Sequence, residues 1–157
     1  MTAWLAPMAK EIVRVDGLRE LEAALLELPR ATAKNVMRRV LLKRGKPIAD
    51  AAASRARVDK NKLKPSFKVG TQLSRRQKAE AETKSSVQVY IGPDPLVQAI
   101  TEEFGTESVP ANPMLRPAWE AGKDAVLVGI GQDMWAEIKK AAERKARKEA
   151  RASKAGG

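Results

Sequence analysis

Leu18, Leu21, Leu25 and Leu28 recur at steps of three and four residues, with Ala24 beside them. That spacing predicts a helix with one apolar face, capped by Asp16 and ended by Pro29. The run is too short for sustained heptads, so the stripe reads as core. Ahead of it, Val13 and Val15 alternate with Arg14 and predict a strand over residues 9–15. A second helical pattern covers residues 30–44. Ala33, Val36, Met37, Val40 and Leu41 face inward, while Arg30, Lys34, Arg38, Arg39, Lys43 and Arg44 line the opposite side. Gly45 and Pro47 predict a kink or a break. Beyond it, Ile48, Ala51, Ala52 and Ala56 carry the apolar face on to about Arg57.

The period then changes. A strand is predicted over residues 64–73, with Phe67 and Val69 on one face, and Val87, Val89 and Ile91 alternate strictly as a second strand. Residues 71–86 between them are polar and basic without apolar periodicity, a long hairpin loop or protruding arm. Asp94 and Pro95 read as the cap and first turn of a helix whose Leu96, Val97, Ile100 and Phe104 pack inward. From Asp124 onward, Leu127, Ile130, Met134, Ile138 and Ala141 recur at helical steps, with Gly129 and Gly131 weakening the first turns. Beyond Ala142 the apolar stripe ends, and a run of Ala, Lys, Arg and Glu continues as a good helix former with nothing to bury.

Composition narrows the chemistry. The 157 residues suit one domain, and aromatic residues make up only 4%, so the core is aliphatic and Ala-rich. Cys and His are both absent. Disulfides, thiolate metal sites, thiol nucleophiles and imidazole acid–base chemistry are therefore excluded. A chain without Cys fits a reducing cytoplasm. No apolar run approaches the roughly 18 residues of a membrane span, and the first ten residues lack a long apolar signal core. The sequence contains no phosphate-binding Gly loop, dinucleotide turn or metal-spaced ligand set. No cofactor and no enzymatic activity are expected.

The net charge of +11 is unevenly placed. Residues 30–80 carry net +13 and residues 136–157 net +5, whereas residues 1–29 carry net −2 and residues 81–135 net −5. Two basic blocks around an acidic middle suit a polyanion, or a head-to-tail contact between the acidic face of one copy and the basic face of the next. A basic helix face tracks phosphates in some proteins and is solvated or paired with acidic neighbours in others. Over residues 30–44 it is accompanied by no aromatic or Gln residue and by a single Asn, Asn35, a thin set with which to read bases.

The most informative stretch is residues 90–121. Its centre is Glu103-Phe104-Gly105-Thr106, followed by Pro113-Met114-Leu115-Arg116-Pro117-Ala118. Gly105 follows an amphipathic run and fits a position with φ > 0 just past a helix end. Asn112 and Pro113 read as a cap and first-turn proline, and Pro117 also suits a first turn, so the helix starts at either proline. Glu102 and Glu103 are adjacent carboxylates, but neighbours on a helix point apart, which speaks against an acid–base or metal pair. One of the two is expected to pair with Arg116 or with a basic residue of an adjoining subunit.

The E-F-G-T box, the Pro-containing loop and the P-hydrophobic-L-R-P-A start of a C-terminal helix resemble the tail-completion family of long-tailed phages. That family comprises tail-component or minor tail proteins typified by gene product ten of a lambda-like coliphage. Val15-Asp16-Gly17-Leu18-Arg19-Glu20-Leu21 is similar to the family's V-x-G-L-x-E-L. Residues 52–67 sit where the family carries A-P-V-D-T-G, although Arg57 and Asn61 stand near the places of its Pro and Gly, and the Tyr ahead of the box has no clear match.

The expected fold is α+β: a single domain over residues 1–142 with two N-terminal helices, a small antiparallel sheet and a long C-terminal helix. A basic helical extension follows over residues 143–157. The resemblance implies a structural virion protein, made in the host cytoplasm. It would form a homo-oligomeric ring, six-fold like the tail, at the head-proximal end of the tail, touching the tail terminator and the head-completion or stopper protein. Glu103, Phe104, Gly105, Thr106, Pro113, Met114, Leu115, Arg116 and Pro117 are the candidate family-motif and subunit-contact residues. Arg75, Arg76, Lys78, Lys139, Lys140, Arg144, Lys145, Arg147, Lys148 and Arg151 are candidates to face a neighbouring protein or DNA in the lumen. The alternatives are a basic nucleic-acid-binding protein and a tail assembly factor absent from the mature virion.

Overall fold

The computed structural model describes residues 17–57, 62–72, 78–79 and 87–155. Its elements in chain order are α1 (Leu18–Leu26), α2 (Arg30–Arg55), α3 (Leu63–Ser66), β1 (Lys68–Gly70), β2 (Tyr90–Gly92), α4 (Val97–Phe104) and α5 (Leu115–Ala155). The fold is α+β and mostly helical, with a small antiparallel two-stranded sheet and a long C-terminal helix. The strand expected at residues 9–15 and the Asp16 cap lie outside the described residues.

The antiparallel pair of α2 and α5 is the frame. Val36 and Val40 of α2, almost wholly buried, meet Met134, Ile138 and Ala141 of α5, and Leu21 and Leu28 close this cluster from the α1 side. At the other end of the pair, Ile48 and Ala52 pack on Ala118, with Ile91, Leu115 and Val126 around them. A third cluster joins Ala56, Leu63, Ala99 and Met114, with Phe67 and Leu96 against it. The inward stripe expected for α2 is present, except that Ala49 rather than Ala51 is buried.

Helix α2 does not break at Gly45 or Pro47; it runs without interruption for 26 residues. Pro47 lies on the exposed side, where its missing N–H faces no packed neighbour. Gly45 is buried for a different reason. A Cβ there would stand 2.8 Å from Val69 Cγ1 and 3.3 Å from Ile91 Cδ1, so the missing side chain is what lets the sheet lie directly on the helix.

The sheet is shorter than its sequence suggests. Lys68 pairs with Gly92, Val69 with Ile91 and Gly70 with Tyr90. Residues 63–66 form a helical turn rather than strand, because Leu63 is needed in the third cluster and Ser66 Oγ donates to the Leu63 carbonyl at 2.6 Å. Val87 and Val89 precede the paired residues instead of extending them.

The long helix begins at Leu115, between the two prolines offered as its start, and runs on through Asp124, Gly129 and Gly131 without a break. Gly129 is occupied space, not a weak point: a Cβ would fall 2.4 Å from Arg44 Nη1. The guanidinium crosses at that position to reach Asp133, with Nε–Oδ2 at 2.7 Å and Nη2–Oδ1 at 2.9 Å. Lys43 adds a contact at 3.1 Å to the same carboxylate. The hydrogen bond from Arg44, followed by that from Lys43 and the charges of both, outweighs desolvation and lowers Asp133 to about 2. Past Ala141 every described residue of α5 is exposed, as the loss of the apolar stripe predicts.

Candidate functional site

The two sequence boxes fold into one device at the corner between α4 and α5. Gly105 ends α4 with φ 76° and ψ 178°, a conformation essentially reserved for glycine. Its N–H donates to the Thr101 carbonyl at 2.9 Å. A Cβ there would stand 2.8 Å from Ala111 N and 3.0 Å from Val109 O, so the returning loop leaves no room for one. Thr106 closes that loop: its N–H donates to Val109 O at 2.8 Å, and its Oγ1 accepts from Val109 N at 3.0 Å. Asn112 N–H then donates to Glu102 O at 2.7 Å, which locks the loop back on the last turn of α4.

The adjacent carboxylates point apart and hold different elements. Glu102 is buried, accepting from Arg57 N at 3.2 Å, from Gln98 Nε2 at 3.1 Å and from Asn112 Nδ2 at 3.4 Å. Glu103 caps α5 from outside that helix. Its Oε2 accepts from Met114 N at 2.7 Å and Leu115 N at 3.0 Å, and its Oε1 from Arg116 N at 3.2 Å. Those N–H groups lie in the first turn and have no acceptor within the helix. Burial pushes the Glu103 carboxyl up, but the three N–H groups, with help from the Arg116 charge, hold it below its usual range. The positive end of α5 favours the same ionised form.

The expected pairing of a glutamate with Arg116 thus runs through the Arg116 backbone. Asn112 is not the α5 cap: its side chain donates to Glu102 and, at 3.3 Å, to Arg55 O. Pro113 precedes the helix, while Pro117 sits in the first turn, where its missing N–H costs no helical bond. Met114 is 1% exposed and plugs the third cluster, and Leu115 joins the second beside Ala118.

One group of motif-linked side chains does nothing inside the molecule. Val97, Ile100 and Phe104 were expected to face inward, but they are 78%, 62% and 69% exposed. Their spacing of three and four residues gives α4 an apolar outer face. The inner face of α4 carries Ala99 and Glu102 instead, because the small Ala allows close approach and the carboxylate is needed by Arg57 and Asn112. Only Leu96 of the expected set packs inward. Helix α4 also starts at Val97, after Pro95, and the Asp94 carboxylate binds Lys68 Nζ at 2.8 Å rather than capping it.

The basic candidates do not join this corner. Lys139, Lys140, Arg144, Lys145, Arg147, Lys148 and Arg151 lie exposed along the far end of α5, where Lys140 contacts Glu137 at 3.3 Å and Lys145 contacts Glu149 at 3.9 Å. Lys78 is exposed, and Arg75 and Arg76 lie outside the described residues. Sequence reading missed the Arg44–Gly129–Asp133 crossing. Its available signal was a glycine inside a helical pattern four residues before an acid. Among the described residues, no cluster of acidic groups has the makings of a metal site, and no helix is long and apolar enough to cross a membrane.

The family described as "Bacteriophage HK97-gp10, putative tail-component" matches residues 19–94. Over that stretch, just under half of the chain, the sequence is similar to this phage tail-component family. No curated protein and no solved structure matches the chain. The tail-component match takes in α1 through β2, including residues 52–67, whose A-P-V-D-T-G landmark is imperfect here. It stops short of α4, so the corner built by Glu103, Gly105 and Met114 lies beyond the matched segment. That corner fixes α4, and its apolar outer face, against the start of α5.

Proposed function

We propose that the protein is a structural, non-enzymatic subunit that completes the head-proximal end of a long phage tail and helps to join it to the head. The similarity of residues 19–94 to a phage tail-component family carries this reading. The exposed apolar face of α4 supports it, since such faces serve contacts with other proteins. Copies repeat one heterologous contact until a ring closes, six-fold like the tail, and the ring meets the tail terminator on one side and the head-completion protein on the other. The chemistry required is positional. The Glu103 cap and the Gly105 turn hold the contact face rigidly enough for the same contact to repeat from copy to copy.

The exposed basic row on α5 favours a second, additional role in non-specific contact with DNA passing the lumen. That role predicts duplex affinity falling steeply with salt.

The reading is tested by labelling the protein in purified particles and locating it by electron microscopy. Label at the head-proximal end of each tail is the expected result. Its absence from purified particles would favour an assembly factor that leaves before maturation, and would overturn the structural reading.

A further inference from the structure

Toward its C-terminal end, α5 carries a line of cations. Lys140, Arg144, Arg147, Arg151 and Lys154 recur at alternating steps of four and three residues, and all are exposed. That spacing sets them on one side of the helix, with a drift of only ~20° per seven residues. From Lys140 to Lys154 the line is about 21 Å long at 1.5 Å per residue, with a positive charge about every 5 Å.

Two acids would interrupt the line where it runs back into the body, and α2 neutralises both. Glu137 lies three residues before Lys140, and Asp133 four before that. Arg39 contacts Glu137 at 3.3 Å, as does Lys140, and Lys43 contacts Asp133 at 3.1 Å beside the Arg44 fork. The two carboxylates are 21% and 16% exposed, against 51% for Arg39 and 70% for Lys43, so solvent meets the cations first. The positive surface therefore continues from the arm onto α2. Further out, Glu149 is on the opposite side of the helix, beside Lys145 at 3.9 Å. Glu143 flanks the line on one side as Lys148 does on the other.

A row of this kind suits one class of partner. Protein interfaces are built on apolar and aromatic anchors, with charge depleted at the centre and Lys depleted throughout. The line offers only Lys and Arg. Past Trp135 the sequence holds no aromatic residue on which unpaired bases could stack, and no Asn or Gln to read base edges. What remains is charge spaced along a rod, which matches the phosphates of a duplex whatever its sequence.

We propose that the line from Lys140 to Lys154, continued by Arg39 and Lys43 of α2, is a sequence-independent site for the phosphate backbone of duplex DNA. It rests on the DNA-contact role proposed above, and assigns that role to one face of α5.

Full-length protein is titrated into a fluorescently labelled duplex of random sequence, with anisotropy read at several salt concentrations. Five phosphate contacts predict log K falling against log salt with a slope of about −4.5. Arg144→Gln/Arg147→Gln/Arg151→Gln removes three cations from the line, and Gln is a good helix former. Its slope should be shallower by about 3. Arg19→Gln/Lys46→Gln/Arg55→Gln lowers the net charge equally at exposed positions off the line, and should keep the parental slope within about 1. Equal loss in the two variants would overturn the site and leave the DNA-contact role standing on net charge alone. Tighter binding of a single strand than of the duplex would overturn the duplex assignment. Absence of any duplex affinity would remove site and role together, and self-association lost only in the Arg144 triple variant would then give this face to a protein partner. The tail reading is judged separately, by where the protein sits in purified particles.

Discussion

Glu103 holds three backbone N–H groups that helix geometry leaves without an acceptor. Removing it leaves the buried start of α5 uncapped, so Glu103→Ala is expected to destabilise the protein by about 2 kcal/mol in urea unfolding. The carboxyl is depressed in the folded state, so its contribution is present above its ordinary value of 4.5 and is lost as the pH falls through the lowered folded value. Gly105 makes a different demand. With ψ at 178° its backbone is not in the left-handed helical region that Asn tolerates, and Ala111 N would lie 2.8 Å from a Cβ. Gly105→Ala and Gly105→Asn are both expected to cost about 1–3 kcal/mol, measured as a lower urea midpoint. An Asn variant as stable as the parent would contradict the geometry.

At the scale of elements, the α2–α5 pair combines apolar clusters at both ends with the Arg44–Asp133 crossing between them. Asp133 falls from 3.8 to about 2 on folding, so the crossing stabilises fully above pH 3.8 and fades as the pH drops through about 2. Because the carboxylate borders solvent, screening makes that contribution small. Asp133→Asn should remove this portion of the acid lability in urea midpoints measured against pH, while the part due to Glu103 remains. The α2 stripe of Val36 and Val40 and the start of the bare tail after Ala142 were legible in sequence, because periodicity reports which side of a helix is apolar. Periodicity does not report what that side meets. Val97, Ile100 and Phe104 therefore looked like core, although Ala99 and Glu102 face the body. Gly45 looked like a breaker for a related reason: a close approach of Val69 and Ile91 is a tertiary fact absent from the local pattern. The Glu103 cap likewise joins residues eleven to thirteen positions apart, beyond the reach of a local capping motif.

At the scale of the whole molecule, α5 is both a core helix and a projecting arm. Among the described residues, truncation after Ala142 removes only exposed ones. The shortened protein should unfold at the same urea midpoint within about 0.5 kcal/mol, lose helical signal, and fail in joining. A truncated chain that does not fold would place the arm in the core. The tail-completion role itself is tested most directly by electron microscopy of particles from a phage carrying a stop codon early in this gene. Filled heads beside separate, full-length tails are the predicted result. Intact, infectious particles would contradict it.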